Sequence, residues 1–223
     1  MATTGDPGIG RRMTAREIEA GVAAAGLTPL SPGADDLLAC YLQLLLRWNA
    51  RLNLTAVREP SRIISRHLIE SIQCAQALPK ALTLLDFGSG AGLPGIPIAI
   101  VRHEIRITLG ESQRKKAAFL RESVRTLGLN AEVYDGRIEK MPEDRLFEAI
   151  TLRAVDNMAE ACQAAMERLA PAGWLVLFAT VRTEQSLKAV LPDIGWKHRL
   201  PIAGLDDGLL LMGQKANVSR GTI

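Results

Sequence analysis

Asp86-Phe-Gly-Ser-Gly-Ala-Gly-Leu-Pro-Gly95 decides how this chain folds. It stands between two apolar segments, Leu82-Thr-Leu-Leu85 and Ile96-Pro-Ile-Ala-Ile-Val101. The first reads as a buried strand and the second as the buried face of a short helix. Strand, glycine turn and helix in that order form the nucleotide-binding corner of a doubly wound α/β sheet. The glycines let the backbone turn sharply and let a ligand approach it with no Cβ in the way. Pro94 and Pro97 fall in the first helical turn, where a missing N–H costs little.

The spacing bears on which ligand sits there. Counted from Gly88, the third position of a dinucleotide fingerprint is Leu93, not glycine. What stands here is Asp-x-Gly-x-Gly-x-Gly, which resembles the first motif of the class I S-adenosylmethionine-dependent methyltransferases. A carboxylate at Asp86 suits a ligand carrying an α-amino group and a sulfonium, whereas a pyrophosphate wants none there. Asp86, Gly88, Gly90 and Gly92 are therefore candidate cofactor-binding residues. The register Gly90, Gly92, Gly95 does satisfy the dinucleotide form, so a nicotinamide enzyme stays open, as does a glycine turn without a ligand.

The next segments continue an α/β alternation. Ile105-Arg-Ile-Thr-Leu-Gly110 reads as a second strand ending at Glu111, an acid placed to accept hydrogen bonds from ribose hydroxyls. Ser112 to Gly128 reads as a helix with Ala117, Leu120, Val124 and Leu127 as its apolar stripe and Gly128 as its stop. A strand over 131–134, the turn Asp135-Gly-Arg-Ile-Glu139, a strand over 149–152 ending at Arg153, a helix over 156–169 and a strand over 171–178 follow. Strands alternating with helices at this spacing predict a mostly parallel sheet.

At 223 residues, 48% hydrophobic and 23% charged, the chain is long enough to bury a full core. It shows no apolar run of the ~18–20 residues that a membrane span needs and no signal-peptide core at the start, so a cytoplasmic protein is expected. Cys40, Cys74 and Cys162 stand singly and read as buried free thiols, and His67, His103 and His198 are too scattered for a metal site. The net charge of +3 mildly favours an anionic partner. Residues 1–10 are expected to be disordered, 11–80 to form an N-terminal helical cap, 81–216 a catalytic-type α/β domain and 217–223 a flexible tail. A monomer is expected.

Within the cap, Thr14-Ala-Arg-Glu17 fits a capping box opening a helix that ends near Gly26. Ser31-Pro32 can start a second helix with Leu37, Tyr41, Leu45, Trp48 and Leu52 at helical spacing. Pro60 can open a third, running to Leu78 with Ile64, Leu68, Ile72 and Ala75 inside. Arg62, Arg66 and Glu70 share a face of that helix with His67 beside them, either as a functional cluster or as a solvated face with i,i+4 pairs.

Arg47-Trp-Asn-Ala-Arg-Leu-Asn-Leu-Thr-Ala-Val-Arg-Glu-Pro60, then Arg66-His-Leu-Ile-Glu-Ser71, then the glycine motif with Leu93-Pro-Gly-Ile-Pro97, resemble the bacterial RsmG (GidB) family. The resemblance runs from about Leu37 to Phe178. It implies a class I Rossmann-like fold of seven strands with the last pair antiparallel, S-adenosyl-L-methionine as methyl donor, and N7 of a guanine in 16S ribosomal RNA of the small-subunit decoding region as acceptor. By position it puts cofactor contacts on Gly88, Leu93, Ile138, Glu139 and Arg153. It puts further polar motif residues, read as RNA-binding, on Asn53 and His67, with Arg137 beside the cofactor loop and Arg66 in the same motif as His67.

Guanine N7 carries a lone pair and no proton, so its methylation needs placement and charge stabilisation more than a general base. The segment after the fourth strand, Thr151-Leu-Arg-Ala154, lacks the Asn/Asp-Pro-Pro-aromatic run that goes with exocyclic amines. It also lacks a nearby cysteine for pyrimidine C5. Arg153 is the catalytic candidate, with a fork suited to guanine or phosphate, or else a salt bridge to Glu139 or Asp135. The chain departs from the family where a Leu-Lys-Gly-like segment gives way to Phe178-Ala-Thr-Val181, and where a C-terminal arginine gives way to apolar residues at Leu209 to Leu211. Side-chain alternation along an extended strand would let Arg182 stand in for a lysine lost at Thr180. A non-catalytic RNA-binding protein on the same fold also stays open.

Overall fold

Leu84 and Leu85 point to opposite faces of one strand and are both fully buried. That strand, β1 (Thr83–Phe87), is covered by helices on both sides, as a central parallel strand must be. In the computed structural model, which describes residues 7–217, it pairs in parallel with β2 (Arg106–Glu111) and β4 (Phe147–Leu152). Outside these lie β3 (Ala131–Asp135), parallel to β2, and β5 (Leu169–Thr180), parallel to β4. The chain then turns back on itself through β6 (Ile194–Pro201) and β7 (Gly208–Lys215). β7 runs antiparallel between β5 and β6, giving the order β3-β2-β1-β4-β5-β7-β6. This is the seven-stranded sheet that the resemblance implied, with its antiparallel last pair.

The chain winds outward from β1 to β3 and then returns to β4 on the other side of β1. Loops after β1 and β4 therefore diverge and leave a crevice at the carboxyl ends of the strands. One apolar core, containing Leu84, packs the sheet against α1 (Pro7–Ala24), α2 (Ala34–Leu52), α4 (Ile69–Ala77), α5 (Gly95–Val101) and α6 (Arg114–Leu127). The other, containing Leu85, packs it against α7 (Met158–Arg168) and α8 (Val181–Ala189).

The third cap segment is a single run of helix with an irregularity in its middle. α3 (Pro60–Ile63) passes into a π-helical turn, Ile64–Leu68, before α4 resumes. Such turns are rare and occur mostly as single turns inside α-helices, frequently at functional sites. Here the turn carries Arg66 and His67.

Four expectations are corrected. The first helix starts at Pro7, so residues 7–10 are helical; residues 1–6 and 218–223 lie outside the described part. Thr14 is consequently inside the helix, where its hydroxyl donates back to the Gly10 carbonyl (3.0 Å) rather than capping anything. Cys40 is half-buried, unlike Cys74 and Cys162, and Leu37 faces outward on α2. Among the described residues, no helix is long and apolar enough to cross a membrane.

Candidate cofactor cleft and adjoining cavity

Gly88, Gly90 and Gly92 all have positive φ (70°, 54° and 84°), which explains the glycines but not their separate tasks. An added Cβ tells them apart. At Gly92 it would lie 2.4 Å from the Ile96 side chain, so this glycine is demanded by packing onto α5. At Gly90 it would meet nothing nearer than the Gly88 carbonyl at 3.7 Å, so it would project into open space. Of these two, only Gly90 borders the cleft.

The loop is held from three sides. The Ser89 amide donates to the Gly110 carbonyl (2.8 Å). The fully buried Tyr41 on α2 donates its hydroxyl to the Ala91 carbonyl (2.6 Å), which ties the cap to the glycine turn. Glu111, at the end of β2, accepts the Gly90 amide (2.9 Å) on one oxygen and the Gln113 amide (2.7 Å) on the other. A carboxylate oxygen takes two such bonds, so each retains an acceptor direction toward the cleft.

Asp86 does something different from what its position in the motif suggested. It lies inside β1, 1% exposed, and its oxygens accept the Thr151 hydroxyl (2.8 Å) and the Gly95 amide (3.2 Å). It does not line the cleft. Burial pushes its carboxyl up to about 6, against the pull of those hydrogen bonds. Asp86 thus locks β1, β4 and the start of α5 into one corner, and its charge is spent internally.

The crevice at the switch point is a cleft of about 570 Å³. Gly88, Gly90, Leu93 and Glu111 line one part of it, and Arg137, Ile138 and Glu139 another. The facing wall comes from distant sequence: Leu54 and Thr55 after α2, His67 of the π turn, and residues 153–157 after β4. Ser112, Gln113, Lys116 and Thr55 border it without having been singled out in the sequence. Their signal was weak, because only tertiary contact distinguishes them from surface polar residues.

Arg153 stands where the cap meets the sheet. Its Nη2 donates to the Glu70 carboxylate, to Nδ1 of His67 (2.9 Å) and to the Arg66 carbonyl (3.4 Å), and Nη1 reaches the Ser71 hydroxyl (3.4 Å). Its guanidinium lies 5.1 Å from the ring centre of Phe178. The partner expected at Glu139 or Asp135 is therefore Glu70, and Asp135 pairs instead with Arg121. Burial raises the Glu70 carboxyl, and the Arg153 guanidinium within ion-pair distance opposes that rise. Burial and the Arg153 charge push His67 down to about 4. A neutral ring that accepts at Nδ1 carries its proton on Nε2, which donates to Thr55 Oγ1 (3.3 Å).

On the far side of Arg153 lies a second space of about 570 Å³, bounded by α7, α8 and the loop before β7. His67, Arg153 and Ala154 line both spaces, and Arg66 lines the second. The structure does not bring Asn53 or Arg182 to either. Asn53 ends α2 in the left-handed region (φ 49°) and accepts from Arg58 Nη2 (2.9 Å). Arg182 lies in the first turn of α8, because Thr180 is the helix cap: its hydroxyl accepts the Thr183 amide (3.3 Å). The strand alternation that paired Thr180 with Arg182 ends at Thr180, two residues short of Arg182.

Residues 35–190 match the family model described as GidB, rRNA small subunit methyltransferase G. The chain belongs to this family. It is 41% identical over 190 residues to the ribosomal RNA small subunit methyltransferase G of Xanthomonas campestris pv. campestris, covering 82% of this chain and 88% of that one. It is also 41% identical over 187 residues to the protein of the same name from Stenotrophomonas maltophilia, covering 83% and 85%. Among solved structures, an O-methyltransferase from Bacillus cereus superposes with a TM-score of 0.60 at 17% identity, over 92% of this chain and all of that one. A SAM-dependent methyltransferase from Aquifex aeolicus gives 0.58 at 17% identity, over 74% and 97%. These two likenesses show the class I Rossmann-like fold; GidB membership rests on the sequence relatives.

Proposed function

We propose that this GidB-family chain methylates N7 of a guanine in 16S ribosomal RNA of the small-subunit decoding region, with S-adenosyl-L-methionine bound in the cleft beside Gly90. Membership of the family makes the chain a small-subunit ribosomal RNA methyltransferase, and with that substrate it works in the cytoplasm. One observation carries the cofactor reading: the open space over Gly90, with the Glu111 carboxylate pinned beside it by two backbone amides. That cradle fits a nucleoside whose ribose hydroxyls donate to Glu111. Gly88, Leu93, Ile138 and Glu139 would complete it. S-adenosylmethionine supplies a methyl carbon on a sulfonium: the N7–C bond forms as the S–C bond breaks, the electron pair stays on sulfur and positive charge passes to the purine.

The residues at the far end of the cleft suit an acceptor that needs no deprotonation. His67 is neutral and its Nδ1 is already occupied by Arg153, so it orients rather than abstracts. Arg153, held by Glu70, is a fixed donor at the end of β4 where the base edge would arrive. The test is calorimetric binding of S-adenosylmethionine, followed by tritiated methyl transfer to small ribosomal subunits and mass spectrometry of the modified nucleotide. A 7-methylguanine in 16S RNA is expected. Binding of NAD(H) in place of S-adenosylmethionine, or cofactor binding without transfer, would overturn the reading in favour of an oxidoreductase or a non-catalytic binder.

A further inference from the structure

The cavity beyond Arg153 has no part in holding the cofactor, yet it shares a wall with the cleft that does. We propose that it seats the target guanine, drawn out of the RNA stack, and that the Asp207 carboxylate reads its N1–H and N2–H edge. This inference rests on the ribosomal RNA reading above.

The walls suit a flat ring. Met158, Phe178, Leu187, Val190, Ile202 and Leu205 present apolar surface on several sides of a space of about 570 Å³. Enzymes that modify a base act on single-stranded substrate or flip the nucleotide out, and they receive its two flat faces between apolar side chains in such a pocket. Because His67, Arg153 and Ala154 border both spaces, a ring seated here turns one edge toward the cofactor cleft.

Charge narrows the occupant further. A guanine methylated at N7 becomes a cation, so its seat should hold no unbalanced positive charge against the ring. Arg153 is balanced by Glu70, His67 is neutral, and Arg66, the remaining cation on this wall, is exposed, so that its charge is screened by water. Asp207, on the cavity wall, makes no side-chain hydrogen bond or ion pair among the described residues. Guanine presents two adjacent donors on its Watson–Crick edge, which a carboxylate accepts together; adenine presents an acceptor at N1 and is repelled. Asp207 is also held in place, since its carbonyl accepts the Val181 amide (2.9 Å) and Gly208 accepts Ile202 (2.9 Å). Gln73 of α4 pins the neighbouring loop by bonding the Pro201 carbonyl (2.7 Å) and the Ala203 amide (2.9 Å).

The experiment fills the cavity from two walls through exposed residues, with Ala159→Trp on α7 and Ser186→Trp on α8. Both variants should bind S-adenosylmethionine and small ribosomal subunits as the wild type does, while methyl transfer falls at least 100-fold. In methyl-labelled wild-type protein saturated with S-adenosylhomocysteine, guanosine monophosphate should shift the signals of Leu187, Val190 and Leu205, and adenosine monophosphate should not. Asp207→Asn should lower methyl transfer at least 10-fold and abolish the preference between the two nucleotides. If both filled variants transfer methyl at the wild-type rate, or the nucleotides perturb only cleft residues, the target base sits elsewhere. A wild type that yields no 7-methylguanine would instead remove the function on which this inference rests.

Discussion

Arg153 donates a hydrogen bond to Nδ1 of His67 across 2.9 Å, although 86 residues separate them in the chain. The same guanidinium nitrogen meets the Glu70 carboxylate, one turn along from His67, where the pair is only 14% and 4% exposed on its two side chains. One cation therefore fastens the helical cap to the end of β4, at the place where the two cavities touch. Glu70→Ala leaves that buried cation without its counter-charge and should cost about 3–5 kcal/mol in denaturant unfolding. Glu70→Gln keeps one hydrogen bond and should cost less. Equal costs for both would mean that charge pairing contributes little here.

Gly90 and Gly92 should fail in different ways. Gly92→Ala meets Ile96 at 2.4 Å in a left-handed conformation and should lose about 2–4 kcal/mol of stability. Gly90→Val has room but occupies the ligand's place. It should retain most of the fold and lose S-adenosylmethionine binding by calorimetry. Glu111→Ala should weaken binding by roughly 1–3 kcal/mol, through the lost ribose acceptor and a looser Gly90.

Asp86 gives a signed pH effect. Its carboxyl is raised from 3.8 to about 6, so the folded state holds a proton that the unfolded state has released between those values. That contribution to stability is complete below about 3.8 and is lost as pH rises through 6. His67, lowered from 6.5 to about 4, acts oppositely: its contribution is full above 6.5 and is lost as pH falls toward 4. Asp86→Asn should leave the His67 slope unopposed. Between pH 4 and 6 the unfolding free energy of this variant should climb with pH more steeply than that of the wild type, by up to about 1.4 kcal/mol per unit. Parallel curves would show that Asp86 does not titrate in this range.

Arg66 and Arg182 should separate in RNA binding. Arg66 is exposed on the wall of the second cavity, beside Arg153. Arg66→Ala should weaken binding to small ribosomal subunits and flatten its logarithmic salt dependence by about 0.7–0.9, the share of one phosphate. Arg182 lines neither cavity, so Arg182→Ala should leave both affinity and slope unchanged. Thr180→Lys should cost about 1 kcal/mol, because it destroys the cap of α8.

Much of the architecture was legible without coordinates. The glycine run after a buried strand, the acid at the end of the next strand and the alternation of helical and strand periods are local patterns, and local sterics and burial enforce them. Gly88, Gly90, Leu93 and Glu111 could be read for the same reason, since each belongs to one turn or one strand end. What the sequence could not decide is where a buried charge finds its partner. Asp86 carries the motif's carboxylate, yet it faces inward, because Thr151 lies in the adjacent strand register and Gly95 at the first turn of α5. Spacing left Glu70 open as part of a functional cluster or of an i,i+4 pair on a solvated face; only the packing of that helix over β4 buries it against Arg153. Thr180 and Arg182 were placed on one strand face, and the cap that ends the strand between them became visible only when Thr183 folded back. Local periodicity determines elements because it depends on neighbours in the chain, whereas ion pairs and cavities depend on which elements the core brings together.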